Sequence, residues 1–172
     1  MYQYDRIVSM RRLIKQRDIV VDDWRYAEED PLGRKRALIL PFDRWIQERR
    51  RWWLWDGRLG VRIGASDPVA ALAQDFLRVS LIAVEFDGVD EDRGCSQAQT
   101  LRKRYGFTGE LRAVGDFQYG QLSYMARCGF DGFELPPGAD LEAALDAFDD
   151  FLVVHPGAVD AGVTPLPLRR TG

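Results

Sequence analysis

The stretch that decides the fold spans residues 81–135 and alternates short apolar runs with segments of helical period. In order, these segments read LIAVEF (81–86), DRGCSQAQTLRKRYG (92–106), GELRAVGD (109–116), GQLSYMARCG (120–129) and DGFEL (131–135). Each segment of helical period ends on a glycine, and each apolar run ends on a charged or small residue. This alternation is typical of repeated β-α-β units, which form a parallel sheet.

The same pattern continues on both sides of this stretch. The runs RALIL (36–40) and LGVRIGA (59–65) predict two earlier strands, and residues 42–56 predict one helix between them. We therefore expect an α/β fold of about five parallel β-α units. Right-handed crossovers allow either an open sheet or a partial (half) TIM-like barrel, and the sequence leaves both open.

Polar residues at expected helix starts are interpreted first as caps. Asp43, Asp67 before Pro68, Asp116 and Asp140 are all in positions where a carboxylate can accept backbone N–H groups. Ser96, with Gln99 three residues later, has the spacing of a capping box. These assignments place the helices directly after the strands.

The chain divides into three segments in this interpretation. Residues 1–33 form an N-terminal extension whose two short apolar runs predict a β-hairpin that covers a sheet edge, and Asp30 starts a turn after it. Residues 34–155 form the α/β domain. Residues 156–172, rich in proline, glycine and alanine, predict a loose tail.

Composition excludes several classes of protein. The net charge of −3 argues against general nucleic-acid binding, and no apolar run reaches the roughly 20 residues that a membrane helix needs. We expect a cytoplasmic protein, because no signal peptide is visible. The two cysteines and the single histidine, His155, are too few for a four-cysteine metal site, and no nucleotide-binding motif is present. We expect no cofactor and no metal.

The two cysteines are predicted to lie at opposite ends of the sheet and to form no disulfide. Cys95 precedes the predicted cap Ser96, so it would lie at a helix N-terminus, where a thiol can become reactive. The alternative is that Cys95 has no such role. Cys128 falls in the last turn of the next helix.

Candidate catalytic groups collect where the strands end, because functional residues of parallel α/β folds lie at the carboxyl ends of strands. Crowded carboxylates there raise one another's pKa, which suits acid–base chemistry or a hard cation. The candidates are Glu85, Arg93, Asp116 and Glu134. The alternative for the two glutamates is a structural ion-pair network with Arg62 and Arg112 in the neighbouring strands.

Four tryptophans lie within eleven residues and alternate with arginines. Tryptophan and arginine are enriched at interface hot spots, so this segment is a candidate docking surface, although some of its tryptophans must also serve as core. The candidate partner-binding residues are Trp45, Arg49, Trp52 and Trp55. Stacking of nucleic acid on these rings is disfavoured by the acidic net charge.

The segments GELRAVGD (109–116) and YMARCGFD (124–131) resemble a family of small bacterial proteins, domain of unknown function 934. The resemblance covers about residues 10–155. Members of the family are commonly described as probable oxidoreductases involved in sulfite reduction and occur with assimilatory sulfite reductase genes. The resemblance implies a role beside a sulfite reductase that carries siroheme and an iron–sulfur cluster. It implies no defined catalytic residue.

Three positions depart from the usual family pattern. Cys95 stands where the family commonly has tyrosine, and Phe117 and Gly120 stand where it commonly has valine and aspartate. No flavin, nicotinamide or cluster motif is visible, so a redox role would depend on a partner.

Three functions follow as expectations. The first is an accessory protein of assimilatory sulfite reduction that docks on sulfite reductase or its electron donor. The second is an enzyme for a small anion or a sulfur metabolite, with its site at the strand ends. The third is a purely structural subunit.

Overall fold

The structure, a computed structural model, describes residues 11–30, 36–88 and 91–154, and for residues 91 and 149–154 it describes the backbone alone. The strands are β1 (Arg12–Lys15), β2 (Asp18–Val21), β3 (Arg25–Tyr26), β4 (Ala37–Pro41), β5 (Arg58–Ile63), β6 (Val79–Asp87), β7 (Glu110–Asp116) and β8 (Gly132–Glu134). The α-helices are α1 (Phe42–Gln47), α2 (Arg49–Trp53), α3 (Glu91–Gln99), α4 (Leu122–Cys128) and α5 (Leu141–Val154). Two 3₁₀ segments, Val69–Asp75 and Tyr119–Gln121, and one π-helical turn, Thr100–Arg104, complete the described elements.

All eight strands belong to one sheet in the order β2-β1-β8-β7-β6-β5-β4-β3. Strands β3 to β8 are parallel and lie side by side in chain order, whereas β1 is antiparallel to both β8 and β2. The sheet is open and strongly curled, so the fold is a half-barrel of α/β class with N-terminal antiparallel strands. The predicted fold class is therefore confirmed, and of the two forms left open, an open sheet or a partial barrel, the structure has an open sheet that curls into a half-barrel.

The short connection between the two edge strands gives a physical measure of the curl. Only Asp22, Asp23 and Trp24 separate β2 from β3, and this stretch spans at most about 14 Å. In a flat eight-stranded sheet the two edges would lie about 34 Å apart. The sheet must therefore curl until its edges approach each other.

Most of the apolar core lies between the outer face of the sheet and the helices. Alternate residues of each strand point outward, as Leu38, Val61, Ile82 and Leu111 do. The inner face carries a smaller cluster formed by Trp24, Ala37, Ile39, Leu81, Ala83 and Val114. The inner face also carries charged side chains, among them Glu110, Arg112 and Glu134, which form the site described below.

The N-terminal hairpin is confirmed, and it covers the β8 edge of the parallel strands. Its two-residue turn contains Gln16 and Arg17, both with positive φ (51° and 66°), as a tight hairpin turn requires. Strand β3 was not predicted, because two residues are too few to show any periodicity. The predicted domain boundaries stay a prediction, although β1, β2 and β3 share the sheet with the later strands.

Four predictions of helix starts are wrong. The expected helix 42–56 is two helices that meet at Glu48, and the residue before α1 is Pro41 rather than Asp43. Asp67 does not cap a helix, because its carboxylate accepts the backbone N–H of Gly64 at 2.8 Å and the helix after it is 3₁₀. Residue 116 ends β7.

Ser96 is not a cap either, since α3 already begins at Glu91. Asp116 was expected to cap the helical segment that follows β7. That segment begins at Tyr119, and a capping box formed by Gln118 and Gln121 caps it instead. The cap at Asp140 is confirmed, since its Oδ1 accepts the N–H of Ala143 at 3.1 Å. Three predictions lie outside the described residues. They are most of the turn that starts at Asp30, the placement of His155, and the tail 156–172.

Candidate functional site

Glu134 lies at the centre of the charged inner face of the half-barrel, at the carboxyl end of β8. Its carboxylate accepts hydrogen bonds from Arg11 at 3.0 Å, from the hydroxyl of Tyr26 at 2.9 Å and from Arg112 at 3.3 Å. These donors come from β7 and from the N-terminal extension. The site is therefore assembled by the curl of the sheet, which brings the extension against β8.

Arg112 is the buried cation of this site, with only 1% of its surface exposed. Its guanidinium donates to both carboxylate oxygens of Asp22, at 3.0 and 3.1 Å, and lies 2.8 Å from Glu110. Burial lowers the pKa of Arg112, but the opposing charges of Glu110 and Asp22 outweigh it, and the pKa is raised above its ordinary value. Arg112 is therefore held charged inside the barrel by carboxylates, with Glu110 also bound to Lys15 at 2.7 Å.

Tyr26 is held as a neutral phenol. Burial raises its pKa above the ordinary value of 10.0, and the negative charge of Glu134 raises it further, against smaller opposing effects of Arg112 and Arg11. Its hydroxyl donates to Glu134. Tyr26 is therefore suited to donating a hydrogen bond and unsuited to acting as a base at neutral pH.

Two neighbouring cavities open at the carboxyl ends of the strands, with Tyr26 and Glu134 lining both. The first has a volume of about 480 Å³ and extends toward Arg11 and Glu29. The second, of about 270 Å³, extends toward Arg62. A polar small molecule could fit there, with Leu135, Pro136 and Pro137 forming the apolar side of both cavities.

Of the four predicted catalytic residues, two line these cavities and two do not. Glu134 lines both, and Glu85 lines the second. Arg93 is exposed on α3, and Asp116 is exposed at the end of β7, and neither lines these two cavities. The expected cluster of four is thus not brought together at these cavities.

The predicted arginine partners are confirmed, although the carboxylate of Glu85 is exposed rather than buried. Arg112 pairs with Glu134, and the Nε of Arg62 lies 3.9 Å from the Glu85 carboxylate. The Glu85 side chain is 53% exposed, and the pairing of β5 with β6 ends at Val84, one residue before it. Arg62 makes its closer contact with Glu28, at 2.9 Å.

Sequence reasoning missed Asp22, Tyr26 and Arg11 as members of the site. All three belong to the N-terminal extension, and no pattern in the sequence connects this extension to the β-α repeat. The available signal was Arg112, a charge in the middle of the apolar strand LRAV, because a buried cation requires carboxylates from somewhere in the chain.

Two of the tryptophans proposed for partner binding are core residues, which corrects that expectation. Trp45 is fully buried and donates from Nε1 to Asp75 at 2.9 Å, and Trp52 is buried with Trp55 edge-on to it, 6.0 Å away between ring centres. Trp55 is half-buried. Arg49 is half-buried as well and binds Asp75 at 3.0 Å. The side chains of this region that reach solvent are different ones, chiefly Trp53 and Leu54.

Both cysteines are buried thiols, and no disulfide joins them, as predicted. Cys95 lies inside α3 rather than at its N-terminus, so the placement on which a reactive thiol was predicted is wrong. Over the described ranges, no group of three or more histidine, cysteine, aspartate or glutamate side chains is placed to hold a metal ion.

The fold and site define a half-barrel α/β protein whose strand ends carry an arginine–carboxylate network beside two open cavities. The chain belongs to the DUF934 family, bacterial proteins of unknown function, whose model matches residues 60–166. No curated protein matches the chain. Within the described part of the chain, no helix is both long and apolar enough to cross a membrane.

Proposed function

We propose that this protein is a cytoplasmic accessory protein of assimilatory sulfite reduction, which acts by docking on sulfite reductase or on its electron donor. The resemblance of GELRAVGD and YMARCGFD to a family found beside sulfite reductase genes supports the pathway. Docking, rather than chemistry at the strand ends, is supported by one observation. The central carboxylate, Glu134, is already bonded by two arginines and a tyrosine, whereas Leu54 and Leu77 are almost fully exposed.

This contrast favours a binding role for a physical reason. A general acid or base must reach its substrate, and the carboxylate of Glu134 is already occupied by three hydrogen-bond donors of the protein itself. Tryptophan and arginine are instead enriched at interface hot spots, and exposed apolar side chains next to them indicate a candidate interaction surface. Any electrons or cofactors would then belong to the partner.

The test is co-purification of the tagged full-length chain with sulfite reductase and its electron donor, followed by turnover of the reductase with and without the chain. We expect recovery of one of the two proteins and a change in turnover. A chain that neither co-purifies with either protein nor changes turnover would refute the proposal.

An enzyme of the small-anion or sulfur-metabolite class is the second candidate, and the two strand-end cavities favour it. Glu85 is the residue to replace first, because its half-exposed carboxylate contributes little to folding. In this alternative Glu85→Gln removes activity in cells while the protein stays folded. Wild-type behaviour of Glu85→Gln, together with that of a folded Glu134→Gln variant, would eliminate the alternative.

A further inference from the structure

Three exposed apolar side chains flank one contact near the amino ends of β5 and β6. Leu77 is 97% exposed, Leu54 is 89% exposed and Trp53 is 42% exposed. The indole Nε1 of Trp53 donates to Asp75 at 3.2 Å, which brings the end of α2 against the end of the 3₁₀ segment that precedes β6. A single exposed leucine is ordinary, but here Leu54 follows Trp53 directly and Leu77 lies two residues after Asp75, so both flank the same contact.

The framework under this patch is fixed by buried hydrogen bonds. Asp75 is buried and also accepts from Trp45 at 2.9 Å, while Arg49 lies 3.0 Å from its carboxylate. Arg78 donates to the backbone carbonyl of Gly57 at 2.9 Å and to that of Trp55, which ties the start of β6 to the segment after α2. A surface held in this way loses little conformational entropy when it binds a partner.

Cationic side chains border the patch on the α2 side. Residues 44–51 contain four arginines and one acid, Glu48, in a chain whose net charge is −3. Arg50 and Arg51 are exposed, and Glu48 is shared between Arg51, at 3.1 Å, and Arg44, at 3.6 Å. Arg44 and Arg51 both lie over the ring of Trp52, at 5.2 and 5.0 Å from its centre, so they are held in place. This surface is therefore locally positive on an acidic protein.

We propose that the amino-end patch, defined as Arg50, Arg51, Trp53, Leu54 and Leu77, is the docking surface for a protein partner with an acidic face. The leucines and Trp53 form the apolar centre, and the arginines steer and orient the acidic partner around it. The inference rests on the proposed function in one respect, which is that the chain acts by binding another protein.

The test compares two patch variants of the full-length chain with two controls of the same chemistry. Leu77→Asp and the double variant Arg50→Glu/Arg51→Glu alter the patch. Val21→Asp and Lys103→Glu/Arg104→Glu make equivalent changes at exposed positions on β2 and on the π-helical turn. Circular dichroism confirms that each variant is folded.

With sulfite reductase and its electron donor as probes, each patch variant should weaken binding by at least about tenfold, and each control by less than about twofold. Binding of the wild-type chain should also weaken as salt is raised, because rim charges contribute through screened electrostatics. Equal binding by patch variants and wild type would overturn the inference while leaving the proposed function intact.

A second measurement decides the inference if neither probe binds. A photo-crosslinking residue is placed at position 77 in the full-length chain in living cells, with position 103 as the control. A crosslink from position 77 to an acidic protein, lost in Arg50→Glu/Arg51→Glu, supports the inference even where the proposed sulfite role fails. No crosslink above the level seen from position 103 overturns it.

Discussion

At the scale of single residues, the protein is distinguished by ionisable groups placed inside a small barrel. Arg112 was recognisable in the sequence, because a charge within an apolar strand requires a partner. Its main partner, Asp22, was not, because 90 residues separate the two and only the curl of the sheet brings them together. The structure thus assigns the N-terminal extension a stabilising role that no periodicity could indicate.

Removal of Arg112 should be strongly destabilising. Arg112→Met leaves Asp22 buried without its cation and leaves Glu110 with Lys15 alone, and we expect a loss of about 3–5 kcal/mol in the free energy of unfolding, measured by urea denaturation. Arg36→Gln is the matched control, since its ion pair with Asp56 at 3.1 Å is exposed on both sides and should contribute under about 1 kcal/mol. Similar losses for the two variants would contradict this account of the network.

The phenol of Tyr26 predicts a dependence of stability on alkaline pH. Its pKa is raised by burial and by Glu134, so above pH 10.0 the unfolded chain releases this proton while the folded protein retains it. Below pH 10.0 the contribution of Tyr26 to the free energy of unfolding is fully present. As the pH rises further, this contribution falls by up to about 1.4 kcal/mol per pH unit.

The comparison that isolates this effect is wild type against Tyr26→Phe, by urea unfolding from about pH 9 to about pH 11. The other titrating groups are common to both proteins, so the difference in their free energies of unfolding should stay constant up to pH 10.0 and then fall. A constant difference over the whole range would mean that Tyr26 ionises normally in the folded state.

At the scale of elements, strands were predicted better than helices. Five of the parallel strands follow directly from apolar runs, because a strand buried on both faces has no alternative to apolar composition. The predictions of helix starts were wrong where an aspartate with the position of a helix cap binds another group instead. Asp67, for example, closes a turn onto the N–H of Gly64. Local capping signals cannot show which of two nearby N–H groups a carboxylate will bind.

The carboxyl end of β7 depends on a glycine. Gly115 has φ of +103°, and a Cβ placed there would lie 2.3 Å from the carbonyl oxygen of Phe86 in β6. We expect Gly115→Ala to destabilise the protein by at least about 2 kcal/mol, because neither backbone can move without breaking the β6–β7 pairing.

Gly138 offers the control for this prediction. Its φ is +84°, but no described atom lies within 4 Å of an added Cβ, so Gly138→Ala bears the conformational cost alone, about 1 kcal/mol. Urea denaturation of both variants separates the two contributions. Equal losses would show that β6 and β7 can separate at this end without cost.

At the scale of the whole molecule, the curl of the sheet decides where function can reside. Because β2 connects to β3 through three residues, the inner face is narrow and charged, and the two cavities that Glu134 lines open at the carboxyl ends of the strands. The strand-end location was predictable from the β-α repeat. The exposed apolar patch was not, because the four tryptophans do not reveal which of them face the core until the break between α1 and α2 is known.

The most direct test of the proposed role in sulfite reduction is growth of a deletion strain on sulfate, sulfite, sulfide or cysteine as sole sulfur source. We expect failure on sulfate and sulfite, normal growth on sulfide and cysteine, and recovery when the wild-type chain is restored. This pattern would place the requirement at the reduction of sulfite to sulfide. Normal growth on all four sources would contradict the account and would make the strand-end cavities the place to look for function.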